Sequence, residues 1–234
     1  MNLAVIPARG GSKRLPGKNV IELDGKPLIH YTLEAAVNSG CFDTIILSSD
    51  DDEILEIGAM IEGVTPEKRP EEYSGDKVKV IEWIKAISDR PGYAEKFEKI
   101  ALLLPTCPFR TAQHIKEGMQ LLQHDDLSVV STCEMEDPVQ LSMTIDDDHV
   151  ADLSALINPS PLVTGQTRSQ DFNKYYRVNG GFYIAWMEKF RTVDNFFQGR
   201  VKAYKMDKLN SVDIDYQINL EWAEYLLKNN HIKL

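Results

Sequence analysis

The sequence predicts an α/β fold: a mainly parallel sheet with helices on both faces and a small antiparallel arm in the second half. Three observations lead there. Short apolar, β-branched runs alternate with stretches of helical spacing through the first half of the chain. Those runs end in loops rich in glycine, serine, proline or charge, which is where open α/β sheets bind their ligands. From about residue 137 to 178 the pattern breaks into a polar, proline-bearing stretch that alternates around Met143-Thr144-Ile145 and turns at Asp146-Asp147-Asp148. A length of 234 residues suits one domain, 1–234, carrying that arm at about 137–178.

Taken in order, residues 3–6 form a first buried strand. Residues 27–38 have the spacing of a helix, with Pro27 suited to its first turn and Gly40 just past its end. Residues 44–47 are a second strand running into Ser48-Ser49-Asp50, where a serine or aspartate can cap a helix over 52–61. The acidic run Asp50-Asp51-Asp52-Glu53 fits the first turn of that helix through its dipole without any metal. Helical spacing returns over 77–88 and 111–122, the latter with Thr111 as its cap. Strands are predicted over 100–104, 127–132, 181–185 and 201–205, and a closing helix over 216–228. The loops after residues 6, 48, 104 and 184 are expected to meet at one crevice.

Charge sharpens the functional reading. The net charge of −10 argues against a general nucleic-acid binder, which leaves a basic footprint. Within this acidic chain, Arg9, Lys13, Arg14 and Lys18 are concentrated in a glycine-rich turn directly after the first strand, Ile6-Pro-Ala-Arg-Gly-Gly-Ser-Lys-Arg-Leu-Pro-Gly-Lys-Asn19. Gly10 and Gly11 let the backbone bend, and the cations can be aimed at phosphates from several sides. The spacing is neither that of a Walker loop nor G-x-G-x-x-G. Near the other end, Asp213 and Asp215 flank Ile214. On an extended segment residues two apart point the same way, so both carboxylates can face one Mg²⁺; Asp215 also stands where it could cap the last helix. No apolar stretch reaches the roughly 20 residues of a membrane span, and Met1 leads into a strand without a signal-peptide pattern, so a cytoplasmic location is expected. Cys41, Cys107 and Cys133 have no C-x-x-C spacing, and Cys107 is read as a small packed side chain. The five histidines are scattered and receive no role.

The phosphate loop resembles the first signature of the N-acylneuraminate cytidylyltransferase (CMP-sialic acid synthetase) family. Four more stretches follow in family order: Arg69-Pro-Glu-Glu72, Leu104-Pro-Thr-Cys-Pro-Phe-Arg110, Arg177-Val-Asn-Gly-Gly-Phe-Tyr-Ile184 and Ser211-Val-Asp-Ile-Asp215. The resemblance implies a Rossmann-like nucleotidyltransferase sheet, a homodimer made through the arm, Mg²⁺ as cofactor, and CTP and a nine-carbon 2-keto acid sugar as substrates. CMP would pass to the sugar's anomeric C2 hydroxyl. It implies that Arg9, Gly10, Gly11, Ser12, Lys13, Lys18, Asn19 and Arg69 surround the nucleotide, with Lys18 at the α-phosphate, Arg9 and Lys13 at the β- and γ-phosphates, and Arg69 near the cytosine. Lys18, Arg9 and Asp213 would be catalytic, and Asp213 and Asp215 the metal ligands. Leu104, Gln140, Arg168, Arg177, Asn179 and Gly180 would meet the sugar, with the glycines marking close backbone approach to ligand.

Two positions depart from the family pattern, both on the sugar side. Leu104 stands where well-known members have glutamine, and Gln140 where they have lysine; Cys107 also replaces a serine. The expected acceptor is therefore a modified nonulosonic acid of the legionaminic or pseudaminic type rather than N-acetylneuraminate. A 3-deoxy-octulosonate cytidylyltransferase, a sugar-1-phosphate nucleotidyltransferase and a non-catalytic nucleotide binder are the alternatives.

Overall fold

In a computed structural model of the chain, residues 1–232 are described, and they divide into two compact units, 1–132 with 178–232, and Cys133–Arg177. One sheet is built from seven strands: β1 (Asn2–Pro7), β2 (Thr44–Ser49), β3 (Val64–Lys68), β4 (Lys99–Leu102), β5 (Ser128–Glu134), β6 (Tyr176–Trp186) and β7 (Val201–Met206). Their order across the sheet is β7-β5-β6-β4-β1-β2-β3. The pairs β4–β1, β1–β2 and β2–β3 are parallel, and β6 runs antiparallel to β4.

Strand β1 explains why the sheet is covered twice. Leu3 and Val5 enter one apolar cluster, with Trp83, Ile84 and Ile87 of helix α3 (Val80–Ser88). Ala4 and Ile6, on the opposite face, join Ile29 and Leu33 of α1 (Leu28–Ser39), Ile54 of α2 (Asp52–Ala59) and Ile115 of α4 (Ala112–Leu121). Period-two alternation buried on both sides is the pattern of a central parallel strand. A third cluster lies under the phosphate loop. Leu15, Leu23, Leu28, Phe109, Ile214 and Leu220 pack there, the last from helix α5 (Gln217–Lys228).

Several expectations are corrected. Pro27 stands just before α1 as its N-cap residue instead of inside its first turn, while Gly40 closes the helix in a left-handed conformation (φ 60°). The cap of α2 is Asp51, whose carboxylate accepts from Glu53 N and Ile54 N. Helix α3 begins only at Val80, because residues 74–79 run through turns and bends. Strand β3 was not anticipated: it is an edge strand with little apolar content and Pro66 within it, a residue that edges tolerate. Because β6 is antiparallel, the loop after Ile184 leaves the sheet at the end opposite to the loops after β1 and β4.

The second unit contains a two-stranded antiparallel hairpin, Thr144–Ile145 with Ala151–Asp152, whose turn is closed by the Asp146 carboxylate accepting from Asp148 N and Val150 N. No helix among the described residues is long and apolar enough to cross a membrane.

Candidate functional site

A cavity of about 640 Å³ opens at the carboxyl end of β1, wholly within the first unit. Arg9, Ser12, Lys13, Arg14, Lys18 and Asn19 form one wall. Arg69 and Tyr73, Ser74, Gly75, Asp76, Val78 and Val80 form another, and Leu104, Pro105 and Thr106 lie with Asp213 and Asp215 on a third. Of the four loops expected to meet here, those after β1 and β4 contribute directly, the one after β2 only supports its neighbours, the one after Ile184 does not reach the cavity, and the segment carrying Tyr73 to Asp76, Val78 and Val80 enters unforeseen.

Packing aims the cations. Leu15 is buried in the cluster below the loop, which fixes the chain between Arg14 and Lys18, and Gly17 turns it at φ 65°. Asn19 is buried and its side-chain N–H donates to Arg9 O at 2.8 Å, so it braces the loop from behind. Gly10 and Gly11 are not on the cavity wall. The Gly10 N–H donates to Asp50 Oδ1 at 3.0 Å, and a Cβ at this position would lie 2.3 Å from Asp51 Oδ2. Gly10 is required by the close approach of the α2 cap, and its amide is already taken.

The aspartate pair is held by the residue between them. Ile214 is fully buried, and its N–H donates to Thr106 O at 2.8 Å. Asp213 and Asp215 flank that anchor and both line the cavity. The capping alternative for Asp215 does not hold: Tyr216 is the N-cap residue of α5, and Asn219 Oδ1 accepts from both Asp215 N and Tyr216 N. The Asp215 carboxylate instead receives Lys18 Nζ at 2.8 Å and Arg14 at 2.9 Å, and Arg14 also lies over the Tyr216 ring. Two carboxylates on a phosphate-sized cavity are hard oxygen donors of the kind that suits Mg²⁺, which fills its remaining positions with water and phosphate oxygens. Among the described residues no cluster of three or more His, Cys, Asp or Glu forms a closed metal cage, so an ion here would depend on such further oxygens.

Arg69 is buried at the cavity edge. Its Nη2 donates to Ser48 O at 2.7 Å and its Nε to Ser48 Oγ at 3.3 Å, and Trp83 Nε1 donates to the same hydroxyl at 2.8 Å. Burial lowers its pKa, with the Asp50 charge opposing. Arg110 was overlooked in the sequence although it ends the Leu104-to-Arg110 motif. It is buried, and its Nη1 donates to Leu104 O at 3.2 Å and Gly181 O at 2.7 Å; burial pulls its pKa down to about 10. It ties the Leu104 loop to β6.

The residues expected at the sugar separate. Leu104 lines the cavity and packs on Gly180, where φ is 76° and a Cβ would be 3.3 Å from Leu104 Cδ1. Asn179 is buried: its Oδ1 accepts from Ser131 Oγ and Gly181 N, and its Nδ2 donates to Ser211 Oγ. The close backbone approach at Gly180 and Gly181 is therefore to protein atoms, Leu104, Ser131 and Met206. Gln140, Arg168 and Arg177 belong to the second unit, where Gln140 is buried with Nε2 donating to Asn173 O and both arginines are exposed. Cys107 is buried with its thiol directed at Asn210 O, in keeping with a packed side chain.

With this geometry established, comparison with known proteins is decisive. A family model described as cytidylyltransferase matches residues 3–233. The chain belongs to the cytidylyltransferase family. It is 32% identical over 236 residues to a pseudaminic acid cytidylyltransferase of Campylobacter jejuni, covering 98% of this chain and 97% of that one. It is 31% identical over 230 residues to a CMP-N,N'-diacetyllegionaminic acid synthase of Legionella pneumophila, covering 97% of each. An N-acylneuraminate cytidylyltransferase of Escherichia coli is 35% identical over 233 residues, but the match spans 94% of this chain and only 51% of that protein. Among solved structures, a CMP:2-keto-3-deoxy-manno-octonic acid synthetase complexed with CTP shares the fold, with a TM-score of 0.70 at 15% identity over 98% of this chain and 99% of that one. Family membership makes the chain a CTP-dependent nucleotidyltransferase.

Proposed function

We propose that this cytidylyltransferase transfers CMP from CTP to the anomeric C2 hydroxyl of a nonulosonic acid of the pseudaminic or legionaminic type. The observation that carries this reading is the cavity lined by four loop cations together with Asp213 and Asp215, with Arg14 and Lys18 on the Asp215 carboxylate. Full-length similarity to the Campylobacter and Legionella enzymes supports the acceptor class. Leu104 supports it further, since a leucine offers apolar contact where an amide would bind a polar group of another sugar.

In the reaction the C2 hydroxyl oxygen bonds to the α-phosphorus, the bond to the bridging oxygen of the β-phosphate breaks, pyrophosphate leaves, and the hydroxyl proton passes to solvent. Catalysis is then mostly positioning and charge neutralisation. Lys18, withdrawn from solvent with only 13% of its side chain exposed, is the α-phosphate cation. Arg9 and Lys13, nearer the mouth, hold the β- and γ-phosphates. Arg69, fixed by Ser48, stands at the nucleoside end with Ser12, while Asn19 holds the loop in shape. Asp213 and Asp215 would hold Mg²⁺, which supplies charge neutralisation at the phosphates when bound. The working form is a homodimer, in which Gln140, Arg168 and Arg177 of the second unit serve the sugar.

Pyrophosphate release with CTP and Mg²⁺ tests the reading against pseudaminate, legionaminate, N-acetylneuraminate and 3-deoxy-octulosonate. Release with one of the first two, and its loss on chelation by EDTA, is expected. Preference for N-acetylneuraminate in kcat/KM would overturn the acceptor, preference for 3-deoxy-octulosonate would favour the eight-carbon reading, and tight CTP binding with no release on any sugar would favour a non-catalytic binder.

A further inference from the structure

The four cations between residues 9 and 18 fall into two pairs, each gathered on one carboxylate. Arg14 and Lys18 hold Asp215. Arg9 Nη1 and Lys13 Nζ hold Asp76, at 3.2 and 2.7 Å. Asp215 has a part in the proposed chemistry, but Asp76 comes from another segment altogether, the turn that supplies Ser74, Gly75, Asp76 and Val78 to the cavity wall. Its carboxylate sits on the two cations that the reaction needs for the terminal phosphates. A carboxylate and a phosphate use the same N–H donors, so the seat has room for one of them.

We propose that Asp76 is a built-in surrogate for the terminal phosphates: it occupies the Arg9–Lys13 seat in the nucleotide-free protein, and CTP binds by displacing it. This rests on the reading of the cavity as a triphosphate site. Residues 74–79 are then a strap that Asp76 holds on Arg9 and Lys13 and that lifts as the phosphates take those cations. The strap is tied at both ends. Tyr73 packs on Trp83 with ring centroids 4.9 Å apart, Trp83 donates to Ser48 Oγ, and α3 begins at Val80. Between these ties the chain has only turns and bends, which can swing without unravelling an element.

The strength of the contact suits this role. The side chains of Arg9, Lys13 and Asp76 are 40%, 78% and 49% exposed, and exposed ion pairs are weak. The hydrogen bond and charge of Lys13, followed by the charge of Arg9, hold the Asp76 carboxyl below the ordinary carboxylate range, so it is an anion at neutral pH. A triphosphate, with more charge on the same donors, wins the seat, and Asp76 reduces its apparent affinity by the stability of the closed form. When pyrophosphate leaves, the same carboxylate recaptures the cations.

The test is calorimetric titration of CTP, pyrophosphate and CMP, in Mg²⁺ buffer, into wild type, Asp76→Asn and Glu72→Gln. Glu72 is an exposed acid just before the strap, and its substitution removes an equal charge without touching the seat. Asp76→Asn should tighten CTP and pyrophosphate by about threefold to tenfold, leave CMP unchanged, and lose its gain in a Lys13→Ala background. Unchanged or weaker pyrophosphate binding by Asp76→Asn, an equal gain for CMP, or an equal gain from Glu72→Gln would overturn the proposal. Wild type that binds CTP, with no gain on substitution, removes the Asp76 proposal alone; wild type that binds neither CTP nor pyrophosphate removes the reading of the cavity, and this proposal with it.

Discussion

Lys18 and Ile214 illustrate what individual side chains do at this site. Lys18 is more enclosed than Asp215, its partner, which suits a charge kept for a reacting phosphate. Replacing it by alanine should lower kcat by about 100-fold or more while changing the CTP dissociation constant far less, because a group aimed at developing charge acts on the transition state. Stopped-flow turnover with calorimetric CTP binding checks this, and weakened binding at unchanged kcat would make Lys18 a ground-state contact. Ile214 is fully buried between the two aspartates. Ile214→Ala should cost about 2–5 kcal/mol in urea unfolding, the usual range for a buried isoleucine, and Asp213 and Asp215 should lose their fixed positions with it. At this scale the sequence was informative wherever chemistry follows from residue type. The clustered cations and the D-x-D carboxylates lie on the cavity, and the buried isoleucine anchors the latter as its apolar character suggests. What stayed hidden was partner choice. Gly10 is spent on Asp50 and Asp51, Asn179 on Ser131 and Ser211, and Asp76 on Arg9 and Lys13, pairings across some 30 to 70 residues that no local pattern encodes.

Among the elements, α4 carries a titratable cap. Its N-cap is Thr111, as the sequence suggested, but the box is closed by His114: Thr111 N donates to His114 Nδ1 at 3.1 Å while Thr111 Oγ1 accepts from His114 N. That acceptor exists only on a neutral imidazole. Burial lowers the His114 pKa, with Arg110 adding to the shift and Asp207 and Glu117 opposing it. The unfolded chain therefore binds the proton more readily than the folded one. Stability is fully present above the ordinary histidine value of about 6.5 and declines as the pH falls from there toward the folded value. A Tm profile between pH 5 and 8 should slope downward toward acid, and His114→Gln should flatten that slope; an unchanged slope in the variant would assign it to other groups. The elements were legible where their signals were local: Thr111, Gly40 and the alternating β1. Strand β3 was missed because an edge strand with Pro66 buries little, and the direction of β6 was missed because antiparallel pairing with β4 is a long-range fact.

For the whole molecule, the question is what covers the second unit. The sequence marked residues 137–178 as different in kind, and Cys133–Arg177 is a compact unit of its own with a small hairpin. Among its exposed residues, beside charged ones, stand several large apolar side chains. Ile145, Val150, Leu156 and Val163 are each more than half exposed, and Met143 and Tyr175 are 40% and 45% exposed. So many large apolar side chains on so short a segment mark a surface made for burial against protein. The homodimer proposed above gives them that cover, with the isologous contact that a twofold pair requires. Ile145→Lys combined with Val163→Lys should move the protein from dimer to monomer in sedimentation equilibrium at micromolar concentration, because each buried cation costs more than the apolar contact it replaces. CTP binding, which uses the cavity of the first unit, should persist in the monomer. Turnover of the sugar should fall, since Gln140, Arg168 and Arg177 are carried by the unit that the substitutions release. A variant that remains dimeric would move the interface elsewhere, and a monomer with full activity would separate dimerisation from the sugar site altogether.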